Sequence, residues 1–514
     1  MELDLQTCDR ARQARDARFD GRFFIAITTT RIYCRPICPS PSAKYEHVRY
    51  FPTAAAAEAA GYRPCLRCRP EASPGTPAWF GTSGVVCRAL RLIDEGALDC
   101  EDVESFAARH GVTKRHLRRL FLRHLGSTPH QVAATRRAHF AKKLLDETVL
   151  PVCEVANAAG FGSLRAFNDA IRKTYLRTPS QLRSMARRRA PADPDCYRFR
   201  LSYRPPLDWN SLLRFLDERS IPGVELVRGG EYRRTVSVGD KVGVIKVSRL
   251  GSQNEIVLEV RFPQPRALMY IVDRIRRIFD LAADPSIIEA HLGTDPVLAE
   301  QLKISEGVRV AGAWDGFEIA VLAILGQVRD PREAAHTGGR LASLFGCAVA
   351  GGWGPTRTFP TAGQLSTANL ERAGLSSKTA SSIRQLATRV TTGALPLNSC
   401  VDVDKTMLEL SSIPGVDNLT REYIVMRSLN DPDAFPVDYA QVAKAKSEQW
   451  RPWRAYAAIL VWRATEAGSM TSGSGESAQS GIVTAPSLLA RSTEEKDQPS
   501  FAGAFAVVRH PEKS

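Results

Sequence analysis

The chain has 514 residues, of which 44% are hydrophobic and 24% charged, so its composition is that of a water-soluble globular protein. At roughly 150 residues per domain, it is long enough to form three or four separate cores. The net charge of +15 is concentrated at one end, because residues 1–190 hold 32 Lys and Arg against 18 Asp and Glu. This concentration predicts either a polyanionic partner for the N-terminal part or a basic surface that is merely solvated.

The sequence carries no signal for export or membrane insertion. It has no run of about 18 apolar residues, the length that a membrane-spanning helix needs. Its first residues, Met1–Asp4, are polar and acidic rather than basic and apolar. We therefore expect a cytoplasmic protein. Its eleven cysteines are then expected to be reduced, so that clustered cysteines indicate metal ligands rather than disulfides.

Two closely spaced pairs of cysteines lie near the N-terminus. Cys34 and Cys38 are separated by three residues, and Cys65 and Cys68 by two. Each pair can offer two thiolates to one ion, which predicts a tetrahedral site for one Zn²⁺. Zinc-bound thiolates stay deprotonated near neutral pH, so the site can be purely structural or can also provide a nucleophile. The spacing alone leaves both roles open.

The residues around these cysteines form a pattern that extends beyond the metal ligands. The segments Phe23–Cys38 and Gly61–Cys68 closely resemble the N-terminal domain of the Ada family, which removes methyl groups from methylphosphotriesters in DNA. The resemblance covers nearly all of residues 1–72 and implies that Cys34, in a Tyr-Cys-Arg-Pro run, is the methyl acceptor. Methylation of Cys34 would remove one negative charge from the centre and so raise its affinity for DNA. The Pro-Cys-His-Arg motif of a second Ada methyltransferase domain is absent, so repair of methylguanine is not expected.

Residues 83–185 are helical and basic, and they contain two helix-turn-helix patterns about 50 residues apart. In the first, Gly111 ends a helix and Thr113 can cap the next one. Together the two patterns resemble the AraC-type regulator module, which implies DNA binding, transcription regulation and RNA polymerase as a partner. Two units in one chain allow binding as a monomer. The side chains expected to contact DNA are Arg115, Arg118, Arg119, Arg165 and Asn168.

The pattern changes again after residue 195. Alternating and β-rich segments such as Ile256–Val260 predict a small antiparallel sheet, and helical patterns return afterwards. Ile413–Val416 is typical of a helix-hairpin-helix, in which backbone N–H groups bind a DNA phosphate. The segment 471–514 is rich in Ser, Gly and Thr and is expected to be a disordered tail.

The hairpin is followed by Asp431–Tyr439 and then by Trp450–Ala458. In this order the three segments closely resemble the AlkA-like 3-methyladenine glycosylases of the helix-hairpin-helix superfamily, and the resemblance covers about residues 195–468. It implies that an alkylated base such as 3-methyladenine is flipped out and excised by hydrolysis, with Asp438 as the catalytic carboxylate. The aromatic residues of the base pocket would be Tyr423, Tyr439 and Trp450. The DNA contacts of the hairpin would come from Pro414, Gly415 and Thr420.

Several residues depart from this family pattern. Asp417 replaces a glycine near the phosphate site, and Leu419 replaces an aromatic residue at the base pocket. Arg329-Asp330-Pro331 interrupts a helical stretch, and the segment between Asp438 and Trp450 is short enough to have lost a helix. Two interpretations therefore stay open for the C-terminal half: a working glycosylase, or a degenerate one that only binds DNA. A third, in which Cys34 is unreactive in a structural zinc site, is disfavoured by the intact Tyr-Cys-Arg-Pro run.

The sequence thus predicts a multidomain α+β protein. Its parts are a small four-cysteine zinc domain (1–72), an all-α double helix-turn-helix domain (83–185), a small antiparallel β-sheet domain with helices (195–308), an all-α helix-hairpin-helix glycosylase domain (309–468) and the tail (471–514). The predicted function is that of an adaptive-response DNA alkylation repair protein. It would transfer methyl groups to Cys34, activate transcription when methylated, and excise alkylated bases. The expected cofactor is zinc, and the expected partner is double-stranded DNA, both damaged and promoter DNA.

Overall fold

The computed structural model describes residues 5–74, 84–186, 196–251, 253–350, 352–398, 402–438, 442 and 444–471, without the side chains of residues 100 and 466–471. Tyr439 and nearly all of the predicted tail lie outside these residues. Among the described residues, no helix is both long and apolar enough to cross a membrane. The described parts form two separate sheets and two helical regions, so the predicted multidomain α+β fold is confirmed.

The first described part is a four-stranded sheet with one helix on each face. Its elements are α1 (Leu5–Ala14), β1 (Phe24–Ile27), β2 (Ile32–Cys34), β3 (Val48–Phe51), α2 (Ala54–Ala59) and β4 (Arg63–Pro64). The strand order is β3-β1-β2-β4, with β4 parallel to β2 and the other pairs antiparallel. Because neighbouring side chains of a strand point to opposite faces, Ile25 packs on the α1 side and Ala26 on the α2 side.

The second part is all-helical. Its elements are α3 (Gly84–Asp94), α4 (Ala97–Cys100), α5 (Val103–Arg109), α6 (Lys114–Leu125), α7 (Pro129–Glu147), α8 (Val152–Ala158), α9 (Leu164–Tyr175) and α10 (Pro179–Met185). Helices α5 and α6 form the first helix-turn-helix unit, and α8 and α9 form the second. Gly111 and Gly160 begin the two turns with φ angles of +67° and +78°. Thr113 and Ser163 then cap α6 and α9. The predicted pair of units is confirmed.

The third part is a five-stranded antiparallel sheet with flanking helices. Its elements are β5 (Tyr197–Ser202), α11 (Trp209–Asp217), β6 (Glu225–Arg228), β7 (Glu231–Val238), β8 (Lys241–Leu250), β9 (Glu255–Arg261) and α12 (Leu268–Ile278). The strand order is β5-β9-β8-β7-β6, so β5 and β6 are the edge strands. Phe199 lies opposite Leu258, which lies opposite Val247, and this row of buried side chains forms the inner face.

The fourth part is a helical bundle. Its elements are α13 (Pro285–Leu292), α14 (Pro296–Ile304), α15 (Gly316–Ile324), α16 (Pro331–Phe345), α17 (Ala362–Thr367), α18 (Ser377–Thr391), α19 (Val403–Ser411), α20 (Asn418–Leu429), α21 (Lys444–Glu448) and α22 (Arg454–Thr471). The apolar helix α15 is buried in the centre. Pro331 begins α16 after a cap by Asp330, so the predicted interruption is a helix start. Among the described residues between Asp438 and Trp450, the one helix is the short α21.

Buried His110 is an unusual feature of the first helix-turn-helix unit. Its side chain follows α5 and packs edge-on against Phe106, with ring centroids 4.9 Å apart. The residue is only 7% exposed, and neither ring nitrogen has a hydrogen-bond partner among the described residues. Burial, together with the positive charges of Arg88 and Arg109, lowers the pKa of His110 to about 4.

We expect the first helix-turn-helix unit to lose stability as the pH falls from about 6.5 towards 4. The unfolded chain binds a proton at His110 near pH 6.5, whereas the folded chain resists it until about pH 4, so the cost at pH 5 is about 2 kcal/mol. Hydrogen exchange of α5 and α6, corrected for its intrinsic pH dependence, measures this cost. His110→Leu should remove most of the pH dependence, leaving the smaller part that comes from His124 of α6, whose pKa is lowered by burial and by Arg123. His47→Leu, at a partly exposed site, should retain it. The same dependence in His110→Leu would contradict this origin.

Candidate functional site

The four clustered cysteines meet at one end of the first sheet. Strand β2 ends at Cys34 and β4 is followed by Cys65, so the parallel pairing of these strands brings the two cysteine pairs together. The four sulfur atoms all lie within 4.8 Å of one another. Sulfurs placed 2.3 Å from a central zinc ion are about 3.8 Å apart, so this cluster fits one tetrahedral Zn²⁺. The predicted zinc site is confirmed.

The electrostatics of this cluster require a cation. Contact with Cys38 and Cys65 raises the pKa of Cys34 far above its usual range, although contact with Cys68 acts the other way, and contact with Cys34, Cys38 and Cys65 raises the pKa of Cys68 as well. The pKa values of Cys38 and Cys65 are lowered instead, so without a cation only part of the cluster is deprotonated. Four thiolates this close therefore cannot coexist without a positive ion, which zinc supplies. Cys65 and Cys68 are buried, whereas Cys34 and Cys38 are partly exposed. The Arg35 backbone N–H also donates to the Cys68 sulfur over 3.4 Å.

The residue before Cys34 connects the cluster to helix α7. The buried Tyr33 hydroxyl donates to the Glu58 carboxylate over 2.8 Å and lies 3.0 Å from His139 Nε2. Glu58 also accepts a hydrogen bond of 2.7 Å from the Thr135 hydroxyl. Burial alone would raise the pKa of Glu58, but these partners, His139 first, together lower it. Burial acts against a proton on His139, yet the Glu58 carboxylate raises the pKa of its imidazole.

The predicted DNA-contacting residues of the helix-turn-helix units lie on the second helix of each unit. On α6, Arg115, Arg118 and Arg119 are exposed, while Leu117 and Phe121 on the opposite face are fully buried. On α9, Arg165 is exposed and Asn168 is partly buried. These positions suit helices that enter a DNA groove, and the individual contacts stay a prediction.

The hairpin between α19 and α20 differs from a plain glycine-rich phosphate site. Pro414 and Gly415 are exposed, and Gly415 has a φ of +80°, as the turn requires. The backbone N–H of buried Thr420 donates to the Asp417 carboxylate over 2.9 Å. Asp417 also forms an ion pair with Arg329, the residue in the predicted interruption. The two departures from the family pattern are therefore partners, and Arg329 neutralises the charge that Asp417 brings to the hairpin.

The predicted base-pocket residues lie in different surroundings. Tyr423 is fully buried on α20, where its hydroxyl donates to Gln327 over 2.9 Å and accepts from Arg427 over 2.7 Å. Trp450 is 2% exposed and its indole N–H donates to Asp295 over 3.2 Å, so the ring faces the core rather than an open pocket. Asp438 is exposed. Tyr439 lies outside the described residues, and the pocket and catalytic roles stay predictions.

The structure places two further aromatic rings beside Tyr423. Trp462 of α22 lies 6.4 Å from Tyr423 between ring centroids, and Phe215 of α11 is parallel to Trp462 within 8° at 6.5 Å. Both added rings are partly exposed. The guanidinium of Arg427 lies 5.0 Å from the Phe215 centroid. Sequence reasoning missed Phe215 and Trp462 because both occur in helical apolar patterns that are equally typical of ordinary core residues.

Comparison with known families matches three parts of the chain. Residues 7–71 match the metal binding domain of Ada, residues 106–185 a helix-turn-helix domain, and residues 198–315 the AlkA N-terminal domain. The matches follow the order of the zinc-binding sheet, the paired helix-turn-helix units and the five-stranded sheet. The predicted fusion is confirmed.

Three relatives cover different lengths of the chain. The probable bifunctional transcriptional activator/DNA repair enzyme AlkA of Mycobacterium tuberculosis is 37% identical over 485 residues, which are 91% of this chain and 97% of the relative. DNA-3-methyladenine glycosylase 2 of Escherichia coli is 29% identical over 51% of this chain and 96% of its own length. The bifunctional transcriptional activator/DNA repair enzyme Ada of Escherichia coli is 32% identical over 33% of this chain and 46% of its own length.

Two solved structures are similar to parts of this chain. A 3-methyladenine DNA glycosylase from Archaeoglobus fulgidus covers 53% of this chain and 99% of its own, at 18% identity and a TM-score of 0.47. The methylated N-Ada/DNA complex covers 26% of this chain and 99% of its own, at 32% identity and a TM-score of 0.14.

We expect Arg329→Ala to raise KM for release of 3-methyladenine from methylated duplex DNA by about tenfold. The change leaves the Asp417 charge unneutralised where a phosphate would approach. The slope of log KM against log salt concentration should therefore fall by about one counterion. Asp417→Asn added to Arg329→Ala should recover much of the loss. Arg384→Ala, which breaks the exposed pair of Arg384 with Glu371, is the matched control and should leave KM unchanged. Equal KM values for Arg329→Ala and the double variant would contradict the compensation.

Proposed function

The chain belongs to the family of bifunctional transcriptional activators and DNA repair enzymes called AlkA, and on this premise we propose that it repairs alkylated DNA by two separate reactions. One is a single methyl transfer from a DNA methylphosphotriester to Cys34. The other is the hydrolytic excision of alkylated bases such as 3-methyladenine by the C-terminal half. Methylation of Cys34 also activates transcription through the paired helix-turn-helix units.

The position of Cys34 carries the proposal for methyl transfer. Cys65 and Cys68 are buried, whereas Cys34 and Cys38 are partly exposed, and of these two we propose Cys34 because it lies in the Tyr-Cys-Arg-Pro run at the end of β2. The Cys34 sulfur attacks the methyl carbon of the phosphotriester. The bond between this carbon and the phosphate oxygen breaks, and its electron pair stays on the oxygen. The products are an ordinary anionic phosphodiester and a methyl thioether on Cys34, so each chain acts once.

Methyl transfer changes the charge of the zinc centre. Four thiolates around Zn²⁺ carry a net charge of about −2, and methylation of one leaves about −1. Repulsion between the centre and DNA phosphates then falls, so DNA affinity rises. Tighter binding at a promoter is the step that we propose activates transcription, with RNA polymerase as the protein partner. Two helix-turn-helix units in one chain support DNA binding as a monomer, and we propose that it acts in the cytoplasm.

The C-terminal half supplies the residue types that base excision needs. A cationic alkylated purine stacks on electron-rich rings, and Tyr423 and Trp462 of the bundle are grouped with Phe215 of α11. Asp438 would oppose the positive charge that develops on the sugar or orient the attacking water. Water adds to the sugar carbon and gives up one proton as the bond to the base breaks, and the base leaves with the electron pair of that bond. The alternative, a regulator whose C-terminal half only binds DNA, is favoured by Leu419 and by the altered hairpin.

We expect wild-type protein to take up one methyl group per chain from a methylphosphotriester duplex, and Cys34→Ser to take up none. The methylated wild type should bind DNA more tightly than the unmethylated protein, and the difference should shrink as salt screens the charges. Mass spectrometry measures uptake, and fluorescence anisotropy measures affinity. Cys347→Ser, which changes an exposed cysteine elsewhere, is the control. Unchanged DNA affinity after stoichiometric methylation would contradict the proposal that the loss of one negative charge strengthens DNA binding.

We expect Asp438→Asn to slow the release of 3-methyladenine from methylated duplex DNA by about 100-fold or more, because a neutral amide opposes less of the developing positive charge. Asp431→Asn changes another loop carboxylate nearby and should release base at the wild-type rate. Chromatography of the free base measures release. No release from wild type that still accepts a methyl group at Cys34 would favour the regulator with a degenerate glycosylase domain.

A further inference from the structure

The two helix-turn-helix units differ in which other elements complete their hydrophobic cores. Buried residues of the first unit, such as Phe106 and Phe121, belong to a separate cluster completed by α3. Buried residues of the second unit, such as Phe167 and Ile171, belong instead to one continuous cluster with the inner face of the five-stranded sheet. The second unit therefore shares its core with the sheet, although the two units have the same sequence pattern.

Helix α7 makes this connection on its apolar side. Phe140, Leu144 and Leu145 of α7 belong to the shared cluster, and the Phe140 ring lies 6.5 Å from that of Phe199 in β5. Phe199 is completely buried. Helices α8, α9 and α10 pack against α7, and α8 also contacts the turn at Pro265–Ala267 that follows the sheet. The sheet part therefore supports the second unit both through α7 and directly.

The polar side of the contact involves the free edge of the sheet. Strand β5 is an edge strand, and exposed edges carry backbone groups that need partners. Lys143 of α7 donates to the Arg200 carbonyl of β5 over 2.5 Å, and the Arg200 N–H donates to Glu147 of α7 over 3.3 Å. Arg136 of α7 also forms an ion pair of 2.9 Å with Asp273 of α12. The helix thus covers a sheet edge that would otherwise be open.

We propose that the five-stranded sheet of the glycosylase half is a structural part of the transcription regulator. It holds α7 and closes the core of the second helix-turn-helix unit, so it sets the affinity of that unit for DNA. This role is separate from base excision, because it uses neither Asp438 nor the aromatic group around Tyr423. Loss of the sheet contact would impair promoter binding even in a chain whose zinc centre is intact.

A double-mutant cycle in the full-length protein tests this role. The single variants are Asp273→Ala, which lies in the glycosylase half, and Arg136→Ala, and the third variant combines them. The matched control is Glu231→Ala, which breaks a 2.6 Å pair with Arg233 within β7, a strand that does not neighbour β5. Hydrogen exchange of α8–α10 reports the second unit, and that of α5–α6 reports the first. Affinity is measured for a duplex that the wild type selects from a randomised pool.

Asp273→Ala should lower the protection of α8–α10 and weaken duplex binding by about tenfold. It should leave methyl uptake at Cys34 and the rate of base release at their wild-type values, and any loss of protection in α5–α6 should be smaller than in α8–α10, because Arg136 keeps its pair with Asp99 of α4. In the Arg136→Ala background it should have little further effect, and Glu231→Ala should affect neither α8–α10 nor affinity. Unchanged protection and affinity in Asp273→Ala would overturn the proposal, as would an equal effect of Glu231→Ala. Because methyl uptake and base release are measured separately, their failure would count against the proposed function instead.

Discussion

A charge removed from water costs several kcal/mol unless an opposite charge or hydrogen bonds replace the solvent, and helix α7 is where this constraint acts most strongly. Glu58 of the zinc-binding part is held by Thr135 and His139 of α7. Glu71, whose side chain is 2% exposed, faces the buried Lys142 over 3.6 Å. These carboxylates would lose their partners on α7 if the zinc-binding part moved away, and of the described residues only Tyr33 and Arg69 would still face them. The position of the zinc-binding part is therefore fixed by helix α7 of the helix-turn-helix region.

The same constraint gives the protein a continuous physical connection. Tyr33, next to the proposed methyl acceptor, reaches α7 through Glu58 and His139. The opposite side of α7 covers the edge of β5 and shares a core with the sheet. A third contact joins the zinc-binding part directly to the C-terminal half, because Arg22 pairs with the buried Asp284 over 3.1 Å. The residues proposed for the separate reactions thus lie in different parts of the sequence, but direct contacts join these parts in the folded protein.

The hairpin shows how a local rule can be broken and compensated. An acidic residue at a phosphate-binding turn is unfavourable by itself, and Asp417 looks unfavourable in the sequence. In the structure Asp417 caps α20 through Thr420 and pairs with Arg329, which is 88 positions away in the chain. The pair keeps the hairpin close to neutral. Two departures that weaken the family resemblance are one feature of the folded protein.

The sequence by itself determined the parts that depend on local spacing and on motif order. The four cysteines, the paired turns at Gly111 and Gly160 and the hairpin at Gly415 are short-range patterns, and the structure has each of them in place. Contacts between distant segments were decided only by the tertiary structure. Phe215 and Trp462 are ordinary helical residues until α11 and α22 bring their rings together, and Trp450, expected at a pocket, turns into the core. Apolar periodicity tells which face of a helix is buried, but not which partner it is buried against.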